Sequence, residues 1–184
     1  MAEHRLNTPL SEDDVKKLRA GDTVFLNGII YTGRDAAHKL LVDMIENKDE
    51  LPFPVEGSVM YYVGPAPAPP GKPIGSAGPT TSYRMDAYSP TLIANGQRGM
   101  IGKGARGQEV VDAMKKHGAV YFAATGGAAA LIAKSIKEAE VIAFPELLSE
   151  AVRKLVVQDF PVIVAQDAYG NNMFEEGVKK YRKD

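Results

Sequence analysis

The residues best suited to chemistry lie in one short run, residues 78–86. A glycine and a proline open the run, and because one permits unusual φ values while the other fixes φ, they indicate a turn. Thr80 and Thr81 follow with hydroxyl groups that both donate and accept hydrogen bonds. Arg84 adds a planar guanidinium whose fork matches a carboxylate. The run therefore predicts half of a binding site for a small acid.

Two further cations stand beside glycines at predicted turns, Arg34 in segment 32–35 and Lys103 in segment 102–104. A third glycine-rich segment, residues 125–127, also precedes a predicted helix. Helix N-termini hold anions well because they carry unpaired N–H groups and a partial positive charge. Together with Arg84, these segments supply the positive charge that a dicarboxylic acid needs at both ends.

An ordinary structural role stays open for each of these residues. Arg34, taken alone, can be solvated or paired with a surface acid. Lys103 fits a ligand-binding turn and a plain loop equally well. Thr80 and Thr81 can be turn hydroxyls that satisfy backbone groups, since threonine acts as a base only in a positive, preorganised setting. Segment 125–127 lacks the spacing and the lysine of a Walker motif, and close packing of a helix explains it as well as binding does.

The composition narrows the class of protein. The chain has 184 residues, which predicts one domain over residues 1–184, and its formal net charge of −1 gives no general attraction to nucleic acid or to an anionic membrane. No apolar run is long enough to span a bilayer, and the first residues lack the apolar segment of a signal peptide, so a cytoplasmic location is expected. The chain has no cysteine and three histidines far apart in sequence. We therefore expect no disulfide, no thiolate nucleophile and no metal site or iron–sulfur cluster held by this chain alone.

Strand and helix signals alternate along the chain, which predicts an α/β fold with a mixed sheet. Ser11 is predicted to cap the first helix, and Asp86 the helix that follows it. His38 is predicted to lie within the second helix as a packed or a surface residue, and His4 to lie in a mobile tail. The proline-rich segment 64–73 is predicted to be an ordered loop, with a domain linker as the alternative. The predicted strands are 23–31, 58–63, 99–102, 119–124, 141–144 and 161–165, and the predicted helices are 8–21, one after 32–35, 86–95, 108–116, 128–136, 149–155 and 174–182.

Several motifs in order resemble those of one protein family. From about residue 8 to residue 174, the chain resembles the β subunit of two-subunit class I fumarate hydratases and L(+)-tartrate dehydratases, which is equivalent to the C-terminal domain of single-chain class I fumarases. The resemblance rests on many separate matches rather than on any single one. They are Leu10-Ser11-Glu12, Ala20-Gly21-Asp22, residues 28–38, Tyr62-Val63-Gly64-Pro65, residues 78–86, Ile101-Gly102-Lys103-Gly104 and residues 124–129.

The resemblance implies a swivelling β/β/α domain and a hydro-lyase that adds water reversibly across a double bond. It implies a 4Fe–4S cluster bound by cysteines of a separate α subunit, in keeping with the absence of cysteine here. By position, Thr80 matches the residue proposed to remove the substrate proton. Arg34 and Arg84 match residues that bind the carboxylates, and Lys103 matches a lysine in the same pocket. Thr81 is expected to bind substrate beside them. The implied partners are the α subunit and a small dicarboxylic acid, in an α2β2 assembly or with a β dimer.

Two departures from the family pattern leave the substrate and the partner fit open. Tyr83 stands where the family usually has a small residue, and Leu148-Ser149 replace the usual Gly-Met pair before Glu150. Fumarate is the expected substrate, with tartrate or a methylated relative of fumarate as alternatives. A non-catalytic carboxylate-binding module is the alternative from another class. A free-standing hydrolase is disfavoured, since the sequence shows no Ser/His/Asp set.

Overall fold

The computed structural model describes residues 1–124 and 127–183 as a mixed α/β fold. The strands are β1 (Glu3–Thr8), β2 (Thr23–Thr32), β3 (Val59–Tyr61), β4 (Gly99–Gly102), β5 (Val120–Ala123), β6 (Ile136–Ala143) and β7 (Val152–Gln166). The α-helices are α1 (Glu12–Lys17), α2 (Asp35–Asn47), α3 (Ser89–Ala94), α4 (Gln108–His117), α5 (Ala129–Ile132) and α6 (Met173–Tyr181). Short 3₁₀ helices cover Ser82–Met85, Ala133–Ser135 and Pro145–Glu150. None of the helices in these ranges is both long and apolar enough to cross a bilayer.

The strands described form one sheet that closes on itself. Its order is β1-β2-β3-β4-β5-β7-β6, and β7 also pairs with β2. Neighbours from β1 to β5 are parallel, whereas β7 runs antiparallel to its partners. Ile163 of β7 is paired with Thr23 of β2 on one side and with Ala123 of β5 on the other. This one long strand therefore joins β5 back to β2, and the prediction of a mixed sheet flanked by helices is confirmed.

Two hydrophobic cores lie on opposite faces of the sheet, because successive side chains of a strand point to opposite sides. Tyr61 and Phe122 belong to the core enclosed by the curled sheet, where they meet Phe160 of β7. Met60 and Tyr121, their immediate neighbours in sequence, belong to the core beneath helices α2, α3 and α4. The two halves of the closed sheet thus form two layers around the inner core, and the helices form a third layer on the outer core. Helices α2, α3 and α4 cover the face of the sheet that carries Met60 and Tyr121.

Several local predictions are confirmed. Ser11 caps α1, since its hydroxyl accepts from the backbone N–H of Asp14 and the Asp14 carboxylate accepts from the backbone N–H of Ser11. His38 lies within the second helix, as predicted, and is buried there. The proline-rich loop is hydrogen-bonded to itself, with Ala66 N–H donating to the carbonyl oxygen of Ser76 at 3.0 Å.

Other predictions are wrong where tertiary pairing overrides the local signal. Residues 3–8 form strand β1 rather than a mobile tail, and the His4 ring lies 3.2 Å from the Asp22 carboxylate. Residues 149–155 do not form a helix, because most of them belong to β7. Asp86 does not cap α3, whose N-cap is Tyr88. The predicted helices 86–95 and 128–136 are each shorter, with a 3₁₀ turn beside them.

Candidate functional site

The candidate residues gather at one edge of the sheet, where parallel strands β2, β3 and β4 end. Arg34 follows the end of β2, and Lys103 follows the end of β4. Thr80 is attached just beyond β3, because its N–H donates to the carbonyl oxygen of Tyr62 at 2.8 Å. In open and in closed α/β folds alike, ligands bind at the carboxyl ends of parallel strands, so this edge is the expected place for a site.

Backbone contacts bring the run 80–84 directly beside Lys103. Thr81 forms a parallel β-bridge with Lys103, and the next N–H, that of Ser82, donates to the Lys103 carbonyl oxygen at 3.0 Å. Arg84 lies on the 3₁₀ helix that begins at Ser82. Four of the five candidate residues predicted from sequence are therefore held on two adjoining loops.

The two threonine hydroxyls are free to act on a ligand. Both side chains are half-buried, and neither Thr80 Oγ1 nor Thr81 Oγ1 hydrogen-bonds to any residue in the described ranges. The alternative in which they satisfy backbone groups of their own turn is thus not what the structure describes. Their backbone groups are bonded to neighbouring segments, which leaves the hydroxyls available.

Arg84 and Lys103 are exposed cations without an acidic partner in the part of the chain that the structure describes. An unpaired cation beside a free hydroxyl stabilises negative charge on that oxygen or on a bound carboxylate. Both cations are therefore available to an anion that binds at these two loops.

Arg34 differs because it is already paired. Its guanidinium lies 3.2 Å from the Glu150 carboxylate and 3.8 Å from that of Asp35, and 22% of its side chain is exposed. A Cβ added to Gly64, just beyond β3, would come within 3.2 Å of Arg34 Nη1, so the guanidinium lies against the backbone there. The alternative of pairing with an acid therefore applies to Arg34, although its Nε is buried without a partner among the described residues.

His38 supports Arg34 from beneath the site. Its Nδ1 lies 2.8 Å from the Arg34 carbonyl oxygen. Burial lowers the pKa of His38 to about 4, against the opposing effect of that hydrogen bond. The ring is therefore neutral at pH 7, Nδ1–H donates to the carbonyl oxygen, and His38 orients the start of α2 rather than carrying charge.

Three supporting residues were missed by sequence reasoning: Glu150, His38 as a partner of Arg34, and Arg106. Arg106 is fully buried and bonds to the carboxylate of Asp86, which closes the 3₁₀ helix of Arg84. Its one local signal is its position between two glycines just before α4. The roles of Glu150 and Arg106 depend on partners distant in sequence, which no local pattern reveals. His38 lies only four residues from Arg34, and its role depends on burial.

The candidate surface is open rather than enclosed. Grooves of about 720 Å³ and about 540 Å³ both lie along the proline-rich loop, and none of the five candidate residues lines either one. Ligand sites normally bury most of their ligand. A small acid held at this edge by this chain's described residues alone would therefore stay largely exposed.

No metal centre can be assembled from this chain's described side chains. Within residues 1–124 and 127–183 there is no group of three or more histidine, cysteine and acidic residues that could hold a metal ion. The sequence also has no cysteine, so its donor set does not fit an iron–sulfur cluster. The segment 125–127, a predicted anion-binding turn, lies mostly outside the described residues.

A family model described as Fumarase C-terminus matches residues 2–177. The chain belongs to this family. The model covers the sheet edge with Arg34, the run 80–84 and Lys103, which the geometry had already brought together.

Two relatives named as fumarate hydratases are similar to most of this chain. The chain is 42% identical over 179 residues to the anaerobic class I fumarate hydratase of Escherichia coli K12, a match that covers 95% of this chain and 33% of that protein. It is 44% identical over 158 residues to fumarate hydratase 2 of Leishmania major, covering 85% of this chain and 28% of that protein. The chain thus spans about a third of the length of these fumarate hydratases.

One relative has nearly the same length as this chain. A protein of Methanocaldococcus jannaschii, provisionally named L(+)-tartrate dehydratase subunit beta, is 41% identical over 181 residues, with 93% of this chain and 91% of that protein covered. In this family the fold therefore occurs both as part of a longer chain and as a separate subunit.

Proposed function

We propose that this chain is the β subunit of a class I fumarate hydratase-type hydro-lyase and that it is active only with an α subunit. The observation that carries the proposal is that two adjoining loops carry both a pair of free threonine hydroxyls and two unpaired cations, Arg84 and Lys103. A dicarboxylate needs cations at its ends, and the removal of a proton from carbon needs a base between them. The open form of the surface supports a partner that closes over it.

The proposed chemistry assigns one task to each side chain. Arg84 binds one substrate carboxylate through its fork, and Lys103 and Arg34 hold the substrate from the neighbouring loops. Thr80 Oγ1, as an alkoxide stabilised by these cations, accepts the proton from the carbon next to the bound carboxylate. The electron pair of that C–H bond moves towards the carboxylate, where the cations stabilise the added charge, and then forms the double bond as hydroxide leaves the adjacent carbon. In the reverse direction Thr80 returns the proton, while Thr81 hydrogen-bonds the substrate.

The iron–sulfur cluster of the proposal belongs to the α subunit, since the donor set of this chain does not fit one. The fumarate hydratase names of the longer relatives support fumarate and malate as the substrate pair. The tartrate dehydratase name of the relative of matching length supports tartrate as the second candidate. Tyr83 is 64% exposed and precedes Arg84, so its ring is the side chain through which substrate shape would affect binding.

Replacement of Thr80 tests the proposed base. Thr80→Val keeps the shape of the side chain and removes the hydroxyl, so we expect kcat of the reconstituted complex to fall by about a hundredfold or more. The measurement is anaerobic turnover of malate and of tartrate, in parallel, by this chain mixed with its cognate α subunit. Cluster content and complex formation should be unchanged.

Thr91→Val is the matched control, because Thr91 is a half-buried threonine on α3, away from the run 80–84. It should leave kcat unchanged. A Thr80→Val complex with normal kcat would contradict the assignment. If the unaltered complex forms with an intact cluster and turns over neither acid, the non-catalytic carboxylate-binding module becomes the better explanation.

A further inference from the structure

Arg106 is a buried cation that the proposed chemistry does not use. Its side chain is 0% exposed and its Nε donates to Asp86 Oδ1 at 2.7 Å. Its Nη2 donates to Ser89 Oγ at 2.7 Å, and its guanidinium lies 5.3 Å and 5.1 Å from the ring centres of Tyr62 and Tyr121. A buried ion pair stabilises a fold inefficiently, because desolvation of both charges offsets their attraction. Because Arg106 contacts four different side chains, its position favours a role in aligning these neighbours.

The partner of Arg106 joins the two loops that carry the free cations. Asp86 directly follows the 3₁₀ helix of Arg84, and its N–H donates to the Tyr83 carbonyl oxygen. Its second carboxylate oxygen accepts from the N–H of Gly107 at 2.6 Å, on the loop that begins at Lys103. One carboxylate, held in place by Arg106, thus fixes the end of one loop to the end of the other.

A second connection fixes the same loops at their other ends. Tyr121 OH donates to the carbonyl oxygen of Gly104 at 2.8 Å and lies 2.9 Å from Ser82 Oγ, which donates to it. Burial raises the pKa of Tyr121 to about 12, so the phenol keeps its proton. Arg106 lies over the ring of this tyrosine and therefore contacts both connections.

We propose that Arg106 is a positioning residue for carboxylate binding, because it locks together the two loops from which Arg84 and Lys103 project. This inference rests on the proposed function for its substrate, whereas the hydrogen bonds between the two loops do not depend on that function. Exposed cations on flexible loops bind an anion only after paying the entropy of ordering, and a rigid base beneath them removes that cost. Arg106 acts through other residues and touches no substrate.

The test is Arg106→Lys in the complete α–β complex, which keeps the charge and loses the fork. We expect KM for the dicarboxylate to rise by about tenfold while kcat changes less than about threefold. We also expect faster amide hydrogen exchange at Ser82 and Gly107, whose N–H groups bond across the two loops. In combination with Arg84→Lys the increase in KM should be less than the product of the separate increases, since both changes weaken the same contact.

Arg98→Lys is the matched control. Arg98 is also largely buried and bonds to the carbonyl oxygens of His117 and Gly118, at the opposite edge of the sheet. Its replacement should lower the melting temperature without moving KM. Arg106→Lys that lowers only the melting temperature, with KM and exchange at Ser82 and Gly107 unchanged, would overturn the proposal.

Failure of the proposed function gives a different result. If the unaltered complex turns over neither malate nor tartrate, that function fails, and hydrogen exchange alone decides the role of Arg106. Faster exchange at Ser82 and Gly107 in Arg106→Lys, with Arg98→Lys at the unaltered rate, then supports the locked loops. Equal exchange in both variants and in the unaltered chain overturns it.

Discussion

Glu150 controls how much of the positive charge of Arg34 is available to a ligand. The carboxylate lies 3.2 Å from the guanidinium, and both side chains are about three-quarters buried, so the attraction is screened less than at an open surface. Glu150 Oε2 and Arg34 Nε are both buried without a partner among the described residues. The pair thus orients Arg34 and at the same time lowers its affinity for a second carboxylate.

Glu150→Gln separates orientation from charge. Glutamine keeps an oxygen that can accept from Arg34 and removes the competing negative charge, so we expect KM for the dicarboxylate to fall by about threefold. The measurement is steady-state KM of the reconstituted complex. Glu150→Ala removes the orientation as well and should raise KM instead.

Glu56→Gln provides a matched control, since Glu56 pairs with Arg98 at 3.1 Å at the opposite edge of the sheet. It should leave KM unchanged. A Glu150→Gln complex whose KM rises as far as that of Glu150→Ala would show that Glu150 does not compete with the substrate for Arg34.

At the scale of elements, the end of β4 meets the 3₁₀ helix of Arg84 only because residue 102 is glycine. A Cβ placed on Gly102 would clash with Ser82 Oγ and would lie 3.0 Å from Tyr62 Cδ2. Neither neighbour can move freely, because Ser82 Oγ is bonded to Tyr121 and Tyr62 is fully buried. The close approach therefore sets the distance between the strand and the run 80–84.

Gly102→Ala is expected to lower the free energy of unfolding by about 1–3 kcal/mol, the usual cost of overpacking. Urea titration of the chain measures it. Ser82→Gly should restore part of the loss in the double variant, because it removes the nearest atom. Gly177→Ala is the control, since nothing lies within 4 Å of its added Cβ on helix α6, and it should be neutral or stabilising. A Gly102→Ala chain as stable as this control would contradict the close contact.

The elements that sequence reasoning predicted well are those whose signals are local. The capping box of Ser11 and Asp14 lies within four residues, and it is found in the structure. Segment 149–155 was predicted wrongly because its role in β7 depends on pairing with β2 and β6, which are distant in sequence. Strand β1 was missed because its side chains are alternately exposed and half-buried at the edge of the sheet, so it lacks an apolar run.

The candidate site shows the same difference between signals that are local in sequence and contacts between distant segments. Arg84 and Lys103 could be selected as candidates from residue type beside glycine turns, because exposed charges are visible in the sequence itself. The role of Thr80 as a base stays a prediction that rests on the family resemblance. Asp86 was predicted to cap a neighbouring helix, yet its carboxylate accepts from Gly107, which precedes α4. Such supporting contacts depend on burial and on partners brought together by the fold, and a single sequence does not contain that information in local form.

At the scale of the whole molecule, burial of one histidine couples folding to pH. His38 is fully buried in α2, and burial lowers its pKa from 6.5 to about 4. The charge of Arg106 also lowers the pKa of His38, whereas the hydrogen bond to the Arg34 carbonyl oxygen and the charge of Asp35 act to raise it. Between these two pKa values the unfolded chain binds a proton that the folded chain does not, so the free energy of unfolding rises with pH across this window.

Asp22 titrates in a different window. Burial acts to raise the pKa of its carboxyl, but hydrogen bonds from the N–H groups of Ala2 and Arg19 and from His4 hold it below its usual 3.8. A carboxyl with a lowered pKa contributes stability above its unfolded value and loses it only below that value. As the pH falls, the stability lost through protonation of Asp22 is therefore lost only after the loss through His38 is nearly complete.

Stability of the chain should therefore fall by roughly 3 kcal/mol as the pH drops from about 6.5 to about 4, with His38 the main cause. His38→Asn removes the titration and keeps an N–H that can donate to the Arg34 carbonyl oxygen, so its stability should be lower at pH 7 yet nearly independent of pH across this window. Urea titrations at a series of pH values measure both slopes. His117→Asn, at the end of α4, is the control and should keep the slope of the unaltered chain. If His38→Asn kept that slope too, the proton would be taken up elsewhere and His38 would not be the group that links folding to pH.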